Sequence, residues 1–332
     1  MACLLSIRNL RTVFHTEEGL VKVADDINLD IAEGRTVGLI GETGCGKSVL
    51  GLSILRLLPP NASIEGKINY KGQDILQLGE EQMRRLRGKE IALIPQSPST
   101  SLNPVLKIGV QITEALQLHR KLTREKAEGV ALELLRFLNL PEPENKVKEY
   151  PHQLSGGMKQ RVLAAIGMAG KPSLLIADEP TKGLDAIIRI QVVEVLRHLI
   201  KKTGAAMLLI THDLKVAASL CDEIAVMYAG EIVEHGPAER VLKYPGHPYP
   251  RGLLASLPDN GLKPIPGSSP SLVNLPAGCK FHPRCARARE VCAEKRPPLI
   301  KTNGCLVRCM FVDQGGESQE SFCNRGLQKE AG

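Results

Sequence analysis

The chain has 332 residues, 43% hydrophobic and 24% charged and without Trp, the composition of an ordinary globular protein long enough for a large core and more than one domain. No apolar run approaches the roughly 18–20 residues that cross a bilayer, and the opening MACLLSIRNL lacks the parts of a secretory signal, so a cytoplasmic location is expected. The net charge is +7, and five of those charges fall from Gly246 onward, where 12 Lys and Arg face 7 Asp and Glu; with no RNA-binding motif, zinc-finger spacing or long basic run beside them, they predict a solvated face or a local anionic partner and not nucleic acid.

In chain order, short apolar runs such as TVGLIG and EIALIP alternate with turns up to about Ile94. From Gln96 to about Tyr150, QITEALQLH and EKAEGVALELLRFLNL carry apolar residues at the three-to-four spacing of helices. From Leu154 to about Pro250, helical patterns alternate with the buried-strand patterns SLLIAD and AAMLLIT, and EIAVMYAGEIVEHG predicts a hairpin. This alternation around purely apolar strands predicts an α/β core with a largely parallel sheet. The Pro-, Gly- and Ser-rich LPDNGLKPIPGSSPSLVNLP predicts a linker or extended strap. No internal repeat is visible. Of nine cysteines, six lie in the last 54 residues, and in a reducing cytosol such clustering argues for metal over disulfides.

GETGCGKS, Gly41 to Ser48, fits the phosphate-loop pattern G-x-x-x-x-G-K-[ST] and lies between the strand-like TVGLI and the helix-like SVLGLSIL. The glycines Gly41, Gly44 and Gly46 let the backbone curl so that the N–H groups of Glu42, Thr43, Cys45 and their neighbours point inward, and the helix start favours an anion. Lys47 would reach the β- and γ-phosphates and Ser48 would hold Mg²⁺. Cys45 stands at a variable position of the loop. LLIADE supplies the complementary acids: Asp178 to hold Mg²⁺ through water and Glu179 as general base for the attacking water. Together they predict Mg-dependent NTP hydrolysis.

LSGGMKQR, Leu154 to Arg161, resembles the signature of the ATP-binding cassette (ABC) family. Ser155 is a natural N-cap, and Gly156 and Gly157 allow close backbone approach. The resemblance implies that this segment closes over ATP held by a second cassette. It also implies roles for Gln96 (Mg²⁺ and lytic water), Asp185 (contact across the dimer) and His212 (γ-phosphate). Phe14 is a candidate for stacking on adenine, with a core strand residue as the other reading. Lys182 and Gly183 depart from the Thr and Ala usual in relatives. The fold implied is an ABC-type P-loop nucleotide-binding domain over 1–245, with a helical subdomain at 97–165 and a cysteine-rich C-terminal extension at 246–332.

RLRGKEIALIPQSPSTSLNP, YPHQLSGGMKQR, GHPYPRGLLASLP and GCKFHPRCARAREVC resemble the ATPase subunits of dipeptide, oligopeptide and nickel importers. That resemblance implies ATP and Mg²⁺ as cofactors, transmembrane permease subunits, a second ABC ATPase subunit and an extracytoplasmic substrate-binding protein as partners, and the cytoplasmic face of the membrane as location. Nickel or another small solute is the alternative cargo, and a soluble ABC ATPase acting on nucleic acid or ribosomes is the other class. Cys279, Cys285 and Cys292 lack the C-x₂-C spacing of common zinc sites. The resemblance implies that they hold a [4Fe–4S] cluster with Cys309 as fourth ligand, with Cys305 as rival and zinc as alternative metal. Arg284, Arg287 and Arg289 would offset the cluster's negative charge. The cluster is expected to staple the tail, so that Cys285→Ser would release it to proteolysis and leave nucleotide binding largely intact.

Overall fold

The apolar TVGLI is the strand Thr36–Ile40, and all of its residues are buried. Burial on both faces suits a parallel strand covered on both sides, and it pairs in parallel with Glu223–Tyr228, from Val37↔Glu223 to Ile40↔Val226. The computed structural model describes residues 2–312, and the chain divides into two compact units. This strand belongs to the unit made of Leu5–Asp30, Thr36–Gln73 and the chain from Ile210 onward. Cys323 lies outside the described residues.

Within this unit Glu223–Tyr228 continues into Glu231–Pro237 through a tight turn at Ala229 and Gly230, with φ of 45° and 83°. Two successive positive φ values give a turn whose twist matches that of the strands it joins, so the expected hairpin forms. Its second strand pairs antiparallel with Cys305–Val307, which pairs with Ile300–Thr302. The tail thus adds two strands to the sheet that carries Thr36–Ile40. Phe281, Cys305 and Val307 from the tail join Tyr228, Val233, Tyr249 and Leu254 in one apolar cluster. The Pro/Gly/Ser-rich segment is a strap: Ile265, Leu272 and Leu275 pack on that cluster, and the Leu272 carbonyl accepts the Lys22 N–H at 3.3 Å. In a second sheet, Cys3–Thr16 lies between Gly19–Ala32 and Ala62–Tyr70 and pairs antiparallel with the latter from Leu5↔Tyr70 to Phe14↔Ala62.

The other unit comprises Met1–Leu4, Ile31–Arg35 and Asp74–Leu209. Its strands Ile91–Ile94 and Leu174–Asp178 pair in parallel, from Ile91↔Leu174 to Ile94↔Ala177. The helix Ile108–Arg120 buries Ile108, Ile112 and Leu116, and the helix Arg124–Phe137 buries Ala127, Ala131 and Leu135. Four-residue spacing puts each set on one face. The helix Gly156–Met168 crosses the first strand at Gly167, where a Cβ would lie 3.3 Å from the Ile94 side chain. Strand Ala206–Thr211, buried throughout, carries the chain from this unit into the other. Among the described residues no helix is long and apolar enough to cross a membrane.

Candidate functional site

GETGCGKS leads from the strand Thr36–Ile40 into the helix Lys47–Leu55. At Gly46 φ is 108°, and a Cβ would stand 2.2 Å from the Val23 carbonyl oxygen. At Gly41 it would stand 2.2 Å from that of Met227. Conformation and close approach both demand glycine there, which leaves a cradle of backbone where side chains would otherwise sit. Lys47 is buried, and its Nζ donates to the Gly41 and Glu42 carbonyls, each at 2.8 Å. Burial raises the Cys45 thiol, so nothing marks it as a nucleophile.

Glu42 is held by both its backbone and its carboxylate. Its N–H donates to Tyr249 Oη at 2.9 Å. Its carboxylate accepts from Arg284 Nη1 at 2.8 Å and Nη2 at 3.0 Å, and from the Ser269 hydroxyl. Burial alone would raise this carboxyl, but the hydrogen bonds from Arg284 and Ser269, with the charges of Arg284 and Lys47, hold it below the ordinary carboxylate value. In the same unit His212 is exposed directly after Ala206–Thr211, ahead of the helix Leu214–Leu220 that Asp213 caps. Phe14 is half-buried on the antiparallel sheet, opposite Ala62.

In the other unit Asp178 ends its strand, and Glu179 follows, 7% exposed and with φ of 46°. A non-glycine residue held there costs about 1–3 kcal/mol, and such positions cluster at functional sites. The register Ile94↔Ala177 ends the two parallel strands together, so Gln96 and the Asp178–Glu179 pair leave from the same carboxyl edge, where open α/β sheets bind ligands. Ser155 caps the helix Gly156–Met168, its hydroxyl accepting the Met158 N–H at 3.4 Å. Asp185 caps the helix Ala186–Thr203, accepting from Ile188 N–H at 2.9 Å. The glycines bring the two helix starts together: a Cβ on Gly157 would lie 2.5 Å from the Ile188 side chain, and one on Gly156 3.3 Å from Leu184.

Cys279, Cys285, Cys292 and Cys309 line one small cavity, with Phe281, Arg287 and Phe311 among its other walls. Cys305 is not in it; its Sγ packs on Gly236 in the sheet, 2.4 Å from where a Cβ would sit. Backbone bonds fix the turn that presents the first two: His282 N–H to the Cys279 carbonyl at 2.9 Å and Cys285 N–H to that of His282 at 3.2 Å. Burial pushes the Cys279 thiol up to about 11, and the charges of Cys292, Cys309 and Cys285 add to it. Among the described residues no three His, Cys, Asp or Glu are grouped to hold a metal ion.

One expectation is corrected here. Of the three arginines expected around the cysteines, Arg287 lines the cavity and Arg289 stacks 4.0 Å from the ring centroid of Phe311, one of its walls, whereas Arg284 is taken by Glu42. A buried guanidinium goes to the carboxylate that can satisfy its fork, and a partner 242 residues away leaves no local signal.

A strand-to-helix phosphate loop, an acidic strand end and a serine-capped Gly-Gly helix start define the class: a P-loop ATPase of cassette type. The ABC transporter family profile matches residues 24–182, and that of the oligopeptide/dipeptide transporter C-terminal region matches residues 233–292. The chain is 41% identical over 325 residues to the dipeptide transport ATP-binding protein DppD of Bacillus subtilis, covering 96% of this chain and 97% of that protein. It is 40% identical over 311 residues to the oligopeptide transport ATP-binding protein OppD of Escherichia coli, covering 92% of each. Its fold is similar to that of the ATP-binding cassette MJ0796, solved as a dimer in a post-hydrolysis state with ADP and Pi, at a TM-score of 0.64 and 26% identity over 70% of this chain and 98% of that one. The chain therefore belongs to the ABC transporter family, as one of its ATP-hydrolysing ATP-binding proteins.

Proposed function

We propose that this chain is the energy-coupling ATPase subunit of an importer of dipeptides or oligopeptides, held at the cytoplasmic face of the membrane by permease subunits. One observation carries the reading: a chain with every residue of the hydrolytic set also matches the oligopeptide/dipeptide transporter C-terminal region over 233–292. The backbone cradle of Gly41–Ser48 and the buried Lys47 fit a triphosphate. Ser48, Asp178 and Gln96 would hold Mg²⁺, which supplies charge neutralisation at the phosphates. Glu179 would draw a proton from water as its oxygen attacks the γ-phosphorus, His212 would contact the γ-phosphate, and the bond to the β–γ bridging oxygen breaks to leave ADP and phosphate. Ser155, Gly156, Gly157 and Asp185 would serve the ATP of a second cassette, identical or distinct. An extracytoplasmic binding protein would deliver the cargo.

Glu179→Gln should retain ATP binding while phosphate release falls by about 10²–10⁴-fold. A strain lacking the chain should lose uptake of a labelled dipeptide, restored by the wild type and not by this variant. Intact peptide uptake with lost nickel uptake would assign the other cargo.

Cys279, Cys285, Cys292 and Cys309 are the proposed ligands of a [4Fe–4S] cluster. Their convergence on one cavity supports this, as does the turning of Cys305 into the sheet. Zinc would need all four sulfurs within about 4 Å of one another, given bonds of about 2.3 Å. The cluster would fasten the tail by its thiolate bonds. Anaerobically purified protein should contain about four irons and four acid-labile sulfides per chain; one zinc without sulfide would replace the cluster with a zinc staple.

A further inference from the structure

Arg284 belongs to the cysteine-rich tail, one residue before Cys285, yet its guanidinium ends on the phosphate loop. Nη1 and Nη2 bond the two carboxylate oxygens of Glu42 at 2.8 and 3.0 Å. Nε donates to the Pro266 carbonyl at 3.0 Å, and Nη1 also meets the Ser269 and Tyr228 hydroxyls at 3.3 and 3.4 Å. The Arg284 side chain is 6% exposed and that of Glu42 26%. A two-pronged pair so enclosed fixes orientation as well as charge. The turn that carries Cys279 and Cys285 to the cavity thus sends its arginine to the loop.

A carboxylate in a loop built for a triphosphate is electrostatically out of place. Left unpaired, Glu42 would repel the incoming phosphates and compete with them for Lys47, whose charge it already feels. Arg284 cancels that charge. The rest of the tail is tied down independently: Lys280 to Asp25 at 3.1 Å, Arg296 to Glu231 at 2.7 Å and Arg308 to Asp26 at 3.6 Å. Removing Arg284 therefore leaves the tail docked.

We propose that Arg284 is a positioning residue of the ATP site: it neutralises Glu42 and pins the start of the phosphate loop to the cysteine-bearing turn. The inference rests on the ATPase reading above and adds a residue of the tail to that site.

The test is calorimetric titration of the purified full-length chain with MgATP, beside thermal melting. Arg284→Met should weaken ATP binding roughly tenfold, about 1.4 kcal/mol, in titrations run well below its melting temperature, which falls because the Glu42 carboxylate loses its partner. Adding Glu42→Gln to that variant should recover most of the lost affinity, because the unpaired charge is gone. Unchanged affinity in Arg284→Met would overturn the proposal. So would a loss that Glu42→Gln does not rescue, which would mark Arg284 as a packing residue only. Wild-type protein that binds no ATP would overturn the ATPase reading as well, an outcome distinct from wild-type binding that the variant matches.

Discussion

Gly46 and Glu42 show how much of the phosphate loop is decided by single residues. Gly46 combines a left-handed φ with a 2.2 Å approach to the Val23 carbonyl, so Gly46→Ala has no rotamer to relieve it. The variant should lose roughly 2 kcal/mol or more of stability together with nucleotide binding, as read by thermal melting and ATP titration. Glu42 sets a pH dependence. Its folded-state pKa lies below the ordinary 4.5, so the unfolded chain binds the proton first and the contribution to stability is fully present above about pH 4.5. It is lost as pH falls through the folded value. The gap in melting temperature between wild type and Glu42→Gln should be flat above pH 5 and shrink below 4.5; a gap that widens on acidification would contradict the sign.

At the scale of elements, the tail is part of the sheet and not an appendage to it. Val307 is fully buried, pairs with Glu234 and packs on Gly246. Val307→Ala should cost about 1–2 kcal/mol, a fall of a few degrees in melting temperature. If the tail were held by its cysteines alone, the melt would not move. The element pattern itself was legible in sequence. TVGLI, LLIAD and AMLLIT are apolar but for one terminal Thr or Asp each, because both their faces are covered, and Ala229–Gly230 is a strong local turn. Strands of three residues such as Cys305–Val307 carry too little pattern to declare themselves.

For the whole molecule, the similarity to a dimeric cassette bears on assembly. Glu179→Gln, expected to hold ATP without turnover, should shift to a dimer by light scattering when ATP is added, and Ser155→Arg in the same background should not. ATP binding without any such shift would point to a distinct partner cassette.

The sequence by itself determined the chemistry: the phosphate loop, the acids at the strand end and the serine-capped Gly-Gly helix start. Each is a contiguous stretch whose local backbone makes the site, so spacing along the chain is spacing in space. Tertiary structure alone decided what depends on remote segments meeting. It brought Cys309, and not Cys305, to the cavity of Cys279, Cys285 and Cys292, because Cys305 lies in the strand Cys305–Val307 with its Sγ packed on Gly236, whereas Cys309 follows the strand's end. It added the tail to the sheet of the phosphate loop. It joined Arg284 to Glu42 across 242 residues, because a buried charge takes the partner that packing brings within reach.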